Sequence, residues 1–370
     1  GVGRIHGSAR MNIGLVAFDG LSRVTGGNIY DRMLVEHLRE AGESVELIPV
    51  PFRGYRRSLL VNLSSALVRR LTEARFDLLI EDELIQPAFF WLNRRLMRAA
   101  RYPIISIVHH LRCSEPRPQW QNLIVRRIER RYLATADGFI YNSETTRREV
   151  ESLTGNGRPG VVAPPGGDRL PGEPSRREIV NRGSTASQLR VLFVGHLTPR
   201  KSLRVLIAAL ASLPDEAPWR LMVVGDPKAD PAYSAAQEAR VQALELADRV
   251  QFVGQLSDDK LAEQLIHHDV LAVPSSYEGF GMVYLEAMRC GLPAIASSAG
   301  GGVEVVRDGE NGFLIAPGDV EGLANRLLLR AENRDLLREM SLAARDSYER
   351  APTWSESLNQ IHDFLRRFAR

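Results

Sequence analysis

DVLAVPSSYEGFGMVYLEAMRCGLPAIASS, residues 269–298, decides the fold. DVLAVPS reads as an apolar strand, SYEGFG as a loop and MVYLEAMRC as a helix that Gly291-Leu292-Pro293 stops, and LPAIASS as the next strand. Short apolar strands alternating with helices imply a parallel sheet covered on both faces. The stretch also carries chemistry. Glu278 stands in a glycine-rich loop, able to accept hydrogen bonds from hydroxyls. The backbone of Phe280, Gly281 and Met282 offers N–H donors at a helix start. Glu286 lies about one turn further, where the positive helix end tolerates a carboxylate. Two acceptors flanking a set of donors suit a polyol attached to a diphosphate. Helix capping alone would account for Glu286 but not for Glu278 and its glycines.

Working outward, the same alternation covers the chain twice. The second half reads LRVLFVGHL, a helix over 201–212, WRLMVVGD, a helix over 234–246, RVQFVG, a helix over 258–266, then the opening stretch, GFLIAP and a helix over 319–330. The first half reads MNIGLVAF, a helix from Gly26 to a stop at Gly42, SVELIPV, a helix near 58–74, FDLLIED, PIISIVHH and DGFIYNS, then the capped helix ETTRREVESLTG. Between the halves, residues 164–188 are rich in Pro, Gly, Ser and charge, the composition of a linker. The expected division is a lead-in over 1–10 ahead of Met11, an N-terminal domain over 11–170, a linker over 171–188, a C-terminal domain over 189–353 and a last helix near 354–370.

In doubly wound sheets ligands bind beyond the C-terminal strand ends, so residues just after strands are the candidates. Gly26-Gly27 opens the first helix and lets an anion approach free N–H groups, or is an ordinary turn. His109 and His110 end a buried strand; an imidazole there would bond a phosphate or sugar hydroxyl, unless one packs on the sheet and the other faces water. Arg200-Lys201 follow the strand ending at Gly195, where cations and helix N–H groups would converge on one anion. Lys201 stands out because only three of the 48 basic residues are lysines. Gly300–Gly302 form a backbone that invites close contact.

Composition is that of a globular protein, with 44% apolar and 25% charged residues. No apolar run is long enough to span a membrane and no signal peptide is visible. Two cysteines, Cys113 and Cys290, in no metal spacing, suit a reducing cytoplasm. Charge is uneven: residues 1–150 carry net +7 and residues 186–370 net −5. Either the N-terminal half meets something anionic or it is an arginine-rich solvated face. PFRGYRRSLLVNLSSALVRRL, residues 51–71, mixes Arg with Leu and Val as an interfacial helix does, so peripheral contact with an anionic membrane is expected there. No nucleic-acid partner is expected.

PSSYEGFGMVYLEAMRCGLPAIAS, GGGVEVVRDGENGFLIAPGD, VGHLTPRKSL and VVAPPGGD together resemble retaining glycosyltransferases of the family 4 type, from about residue 11 to the end and most specifically across 270–320. The resemblance implies the GT-B fold, two facing Rossmann-like domains with a cleft between them. It implies a hexosyltransferase that moves sugar from a nucleotide diphosphate sugar, a UDP-sugar or GDP-mannose, to a glycan, lipid-linked or small-molecule hydroxyl in cell-envelope or polysaccharide synthesis. No metal or other cofactor is expected. By resemblance Glu278 contacts donor-sugar hydroxyls, Glu286 holds the ribose, and Phe280, Gly281 and Met282 touch sugar and phosphate through their backbone. Lys201 grips the diphosphate. His109, or its neighbour His110, lies near the donor sugar, Gly27 belongs to the loop that closes on the donor, and Gly254 to Leu256 lie where the base is read. One departure matters: His196 stands where the family usually has Arg, which implies weaker, pH-dependent anion binding that Arg200 would compensate. Two other readings remain: a sugar-nucleotide epimerase or phosphorylase-like enzyme on the same fold, and a catalytically weak glycosyltransferase-like partner or glycan-binding subunit.

Overall fold

A computed structural model of the chain describes residues 10–22, 25–185 and 188–369. Apart from Arg10, the lead-in 1–10 lies outside the described residues. The chain divides into two compact units, one of Gly1–Cys113, Arg117–Pro164 and Ser355–Arg370, the other of Ser114–Pro116 and Pro165–Trp354.

In the first unit the strands are β1 (Asn12–Phe18), β2 (Ser44–Val50), β3 (Leu78–Asp82), β4 (Ile104–Val108), β5 (Gly138–Tyr141) and β6 (Gly160–Val162). They form one parallel sheet in the order β2-β1-β3-β4-β5-β6. Every residue of β3, β4 and β5 is buried, as expected of strands covered on both faces. The order reverses between β1 and β3, which opens a crevice at their C-terminal ends. The helix Gly26–Glu40 begins there, capped by Thr25, whose hydroxyl accepts from Asn28 N at 3.1 Å. The last helix, Trp354–Arg366, packs back on this unit: buried Glu43 accepts from Arg366 at 2.6 Å and lies 2.8 Å from His362 Nε2.

The second unit repeats the plan with β7 (Leu189–Val194), β8 (Trp219–Val224), β9 (Val250–Gly254), β10 (Val270–Val273), β11 (Ala294–Ser297) and β12 (Gly312–Ile315). The order is β12-β11-β10-β7-β8-β9, all parallel. Here the reversal falls between β7 and β10, so the loops after those two strands are neighbours. Among the described residues no helix is long and apolar enough to cross a membrane.

Three expectations need correction. Residues 171–188 are not a plain linker: Arg176–Thr185 is a helix. Its Ile179 is buried, and the Arg182 guanidinium donates to the carbonyls of Ile266 and Cys290 at 3.0 and 2.9 Å. The flanking Pro and Gly mark turns, while these two side chains tie the segment to the second unit. The helix near 58–74 is broken into Tyr55–Ser58, a tight 3-10 turn over Leu59–Leu63 and Ser65–Glu73, because Asn62 turns inward and Ser64 caps a fresh start. Residues 51–71 are therefore not one interfacial helix. Finally, Lys201 lies in a short 3-10 turn, Pro199–Lys201, ahead of the helix Leu203–Ala211 rather than within it.

Candidate active site

In the second unit the switch-point loops bring Lys201, Arg200 and Glu278 into contact. Lys201 Nζ lies 2.6 Å from Glu278 Oε2, which also accepts from Ser275 Oγ at 3.1 Å. Arg200 lies 3.7 Å from Glu278 Oε1 and donates to the Tyr277 carbonyl at 3.0 Å. Burial alone would raise the Glu278 carboxyl, but the Lys201 and Arg200 charges override it and hold it down at about 2. For Lys201 the balance tips the other way: burial outweighs Glu278 and pushes the ammonium below its ordinary value. The pair gains on the carboxylate side and loses on the ammonium side, as buried ion pairs commonly do.

Two of the three glycines, Gly300 and Gly301, are explained by this loop. A Cβ on Gly300, where φ is +89°, would stand 2.0 Å from the Glu278 carbonyl oxygen, and one on Gly301 would stand 2.1 Å from that of Gly279. Gly301 N donates to the Glu278 carbonyl at 2.7 Å. The close contact is backbone on backbone, which fixes the loop carrying Glu278.

The helix Met282–Arg289 starts at Gly281, left-handed at φ 88°, and no side chain caps it. Phe280 is buried beside it. Glu286 is buried too, and both Nε and a terminal nitrogen of Arg169 donate to its Oε1, at 3.0 and 2.9 Å. Arg169 continues to Asp258 at 2.6 Å. Burial raises the Glu286 carboxyl above its ordinary value although Arg169 opposes it. Gly254 ends the edge strand β9 and Leu256 packs on the core two residues before Asp258. The Asp258–Arg169–Glu286 chain links their region to the helix. His196 is half-buried in the loop after β7. Arg169→Ala leaves Glu286 buried without its cation; it is expected to cost roughly 3 kcal/mol of stability, read as a lowered midpoint in denaturant.

In the first unit, His109 directly follows β4 and is buried. Its Nε2 lies 3.0 Å from Asp31 Oδ1, its backbone N donates to Glu83 Oε2 at 3.0 Å, and Asn142 donates to its carbonyl at 2.8 Å. The edge of the Tyr30 ring meets it at 5.3 Å. A Cβ on Gly27 would stand 2.9 Å from His109 Cδ2, so only glycine lets the helix start approach the imidazole this closely. Burial would lower His109, but the Asp31 charge and hydrogen bond, helped by Glu83 and Asp82, lift it to about 9. Burial, reinforced by Asp31, raises Asp82 to about 7; burial and Asp82 raise Glu83. His110, the other candidate, is half-buried beyond the strand.

One ligand atom each from Asp31, Asp82 and His109 lies within 4.8 Å of the others, the spacing of a small cation site. The protonated imidazole itself supplies positive charge between the carboxylates, and a metal ion would have to displace its proton.

Sequence reasoning missed Asp31, Asp82, Glu83, Ser275 and Arg169. Two signals were present. IEDEL places three acids at the end of a buried strand, on the edge where ligands bind, and Arg169 directly follows the VVAPPGGD motif.

Two doubly wound units with charged constellations at their switch points define a GT-B glycosyltransferase fold, and comparison with known proteins agrees. Sucrose-phosphate synthase from Thermosynechococcus elongatus superposes with a TM-score of 0.80 at 24% identity, covering 97% of this chain and 99% of that one. The Anabaena protein HepE, solved in complex with UDP-glucose, gives 0.74 at 22% identity, covering 97% and 100%. Residues 26–169 match the model for glycosyltransferase family 4 and residues 175–347 that for glycosyl transferases group 1. The chain is 30% identical over 341 residues to the phosphatidyl-myo-inositol mannosyltransferase of Mycobacterium leprae, covering 90% of this chain and 84% of that one. It is 29% identical over 286 residues to the D-inositol 3-phosphate glycosyltransferase of Nocardia farcinica, where the match spans 73% of this chain but 62% of the relative's length. The chain belongs to the family 4, group 1 glycosyltransferases.

Proposed function

We propose that this protein transfers a hexose-type sugar from a nucleotide diphosphate sugar, a UDP-sugar or GDP-mannose, to a hydroxyl of a glycan, lipid-linked or small-molecule acceptor, with retention at the anomeric carbon and without a metal ion. The observation that carries the reading is the Lys201–Glu278–Arg200 cluster at the β7/β10 switch point. Cations beside a carboxylate there match the two ends of a sugar diphosphate: charge for the phosphates and an acceptor for sugar hydroxyls. In the reaction the bond between the anomeric carbon and the phosphate oxygen breaks, and its electron pair stays on the diphosphate. Lys201 and Arg200 stabilise that growing charge. The acceptor oxygen attacks from the face the diphosphate leaves, and its proton passes to a phosphate oxygen. Glu286 takes the ribose hydroxyls, with Arg169 holding its Oε1. His109, charged and fixed by Asp31, keeps the donor-sugar role that the family resemblance gives it. Names among the relatives, an inositol lipid mannosyltransferase and an inositol phosphate glycosyltransferase, favour a polyol hydroxyl as acceptor.

A thermal-shift panel with UDP, GDP, ADP and their sugar conjugates tests this. A ligand that binds only the native state raises the melting temperature by mass action. One nucleotide is expected to stabilise the wild type, to do so equally in EDTA, and to lose its effect in Lys201→Ala and Glu286→Ala. No shift with any nucleotide would overturn the reading and favour a non-catalytic partner subunit, with His196 in place of arginine as the disabling change.

A further inference from the structure

Seven of the ten large apolar side chains exposed among the described residues lie between residues 60 and 124. They are not scattered. In the helix Gln119–Leu133, Val125, Ile128, Tyr132 and Leu133 face the core. The opposite stripe runs Trp120, Leu123, Ile124, Arg127 and Arg131, the spacing of one helix face. Trp120 and Leu123 are 62% and 60% exposed. Arg131 then joins Phe90, Trp91 and Arg94 around a cavity of about 260 Å³. Trp91 is 50% exposed. Asn62 accepts from the backbone N of Trp91 at 2.9 Å and donates to the Pro87 carbonyl at 2.8 Å, which sets the exposed Leu60 and Leu63 beside them. Three segments of the first unit thus carry exposed aromatic and aliphatic side chains, joined where Arg131 shares the Trp91 cavity and where Asn62 bonds to Trp91.

Its charge is one-sided. Residues 86–133 hold ten arginines against two acids, Glu115 and Glu129. Glu129 is buried and accepts from the backbone N of Arg112 and Cys113 at 2.7 and 3.1 Å.

We propose that this face of the first unit docks on an anionic lipid bilayer, with Trp91, Trp120 and Leu123 entering the interfacial layer and Arg94, Arg127 and Arg131 meeting lipid phosphates. Tryptophan, with a large apolar body and one N–H, is suited to the boundary between headgroups and acyl chains. Arginines lay their stems along apolar surface and keep their guanidinium groups among the phosphates. Charge complementarity is what favours a bilayer over a protein partner: Arg94, Arg127 and Arg131 border the exposed tryptophans, and residues 86–133 hold only two acids, Glu129 buried and Glu115 half-buried in the stretch that belongs to the second unit, which suits a continuous negative surface better than a patterned one. The inference goes beyond sugar transfer and does not rest on it.

The test uses the full chain, with no nucleotide, and vesicles of phosphatidylcholine with or without phosphatidylglycerol. Of the four tryptophans, Trp219 and Trp354 are buried and Trp91 and Trp120 are exposed, so a blue shift of emission reports this face. Binding to phosphatidylglycerol vesicles at low salt is expected, with a blue shift and with quenching by brominated lipid. Each arginine near such a surface is worth about fivefold in partition, so Arg94→Glu/Arg127→Glu/Arg131→Glu should weaken binding at least about a hundredfold. Trp120→Ser/Leu123→Ser should weaken it too, while Arg338→Glu in the second unit should not. Melting curves check that each variant folds, and wild-type quenching stands whether or not they do. Absence of binding at low salt, or binding unchanged in both patch variants, overturns the proposal. So does a wild-type dimer that Trp120→Ser/Leu123→Ser makes monomeric, which would give the face to a second copy of the chain. Because no nucleotide is present, failure here leaves the donor-site reading untouched, and failure of the thermal-shift panel leaves this one untouched.

Discussion

Glu278→Gln is expected to lower stability at neutral pH by roughly 3 kcal/mol, because it leaves the Lys201 ammonium buried beside Arg200 without a counter-charge. It should also abolish most sugar transfer, since the proposed acceptor for donor hydroxyls and the anchor of the Lys201 ammonium are lost together. Acid titration gives a sharper reading. The folded Glu278 carboxyl sits at about 2, below its ordinary 4.5, so its stabilising contribution is present above 4.5 and is lost as pH falls towards 2. The shift corresponds to about 3 kcal/mol. Denaturant unfolding followed from pH 5 downward should therefore decline more steeply in wild type than in the variant. Lys201→Met/Glu278→Gln should recover much of the loss, the sign of a coupled pair in a double-mutant cycle. A single variant as stable as wild type at pH 7 would show that the pair contributes nothing.

Asp31→Asn is the second large effect. His109 sits at about 9 in the fold against an ordinary 6.5. A raised base stabilises fully below 6.5 and loses that stabilisation as pH rises through 9, a difference of about 3 kcal/mol. Removing the neighbouring carboxylate withdraws an effect worth roughly 1–3 pH units, and the buried imidazole then falls back towards neutrality. The melting temperature of wild type should drop between pH 7 and pH 9.5, and that of the variant should change less. Turnover at pH 7.5 should fall roughly tenfold to a hundredfold, the scale of one lost charged hydrogen bond. The basic limb of the pH–rate profile should move to lower pH while nucleotide affinity, which the proposed donor site places in the other unit, should stay. A profile unmoved by the substitution would show that His109 is not held charged by Asp31.

The fold was legible because its signal is local. Strands such as IISIV and GFIY are apolar on both faces, and the glycine stops and caps around them lie within a few residues. The break at Asn62 was not legible. Leu, Val and Arg at helical spacing describe 51–71 well until Asn62 bonds to Trp91 and Pro87, 29 and 25 residues away. The helix Arg176–Thr185 was hidden for the same reason: its composition says linker, and Arg182 and Ile179 become structural only against carbonyls and side chains supplied by other segments.

The candidate site divides along the same line. Glu278 and Lys201 could be singled out because each follows a strand with glycines nearby, and Glu286 because it lies about one turn into the helix that follows the Glu278 loop. Gly300–Gly302 also announced a close contact, but the partner of Gly300 and Gly301, the Glu278 loop, did not show. Sequence by itself determined the alternation of strand and helix, the duplication, and the loops where the candidate site residues collect. Only the tertiary structure decided which charges meet. Lys201 and Glu278 are 77 residues apart, Asp31 and His109 are 78 apart, and Arg169 and Glu286 are 117 apart. Periodicity constrains neighbours within a few turns of chain; an ion pair requires only that two strand ends lie side by side in a sheet. That adjacency is fixed by sheet order, which short-range pattern does not encode.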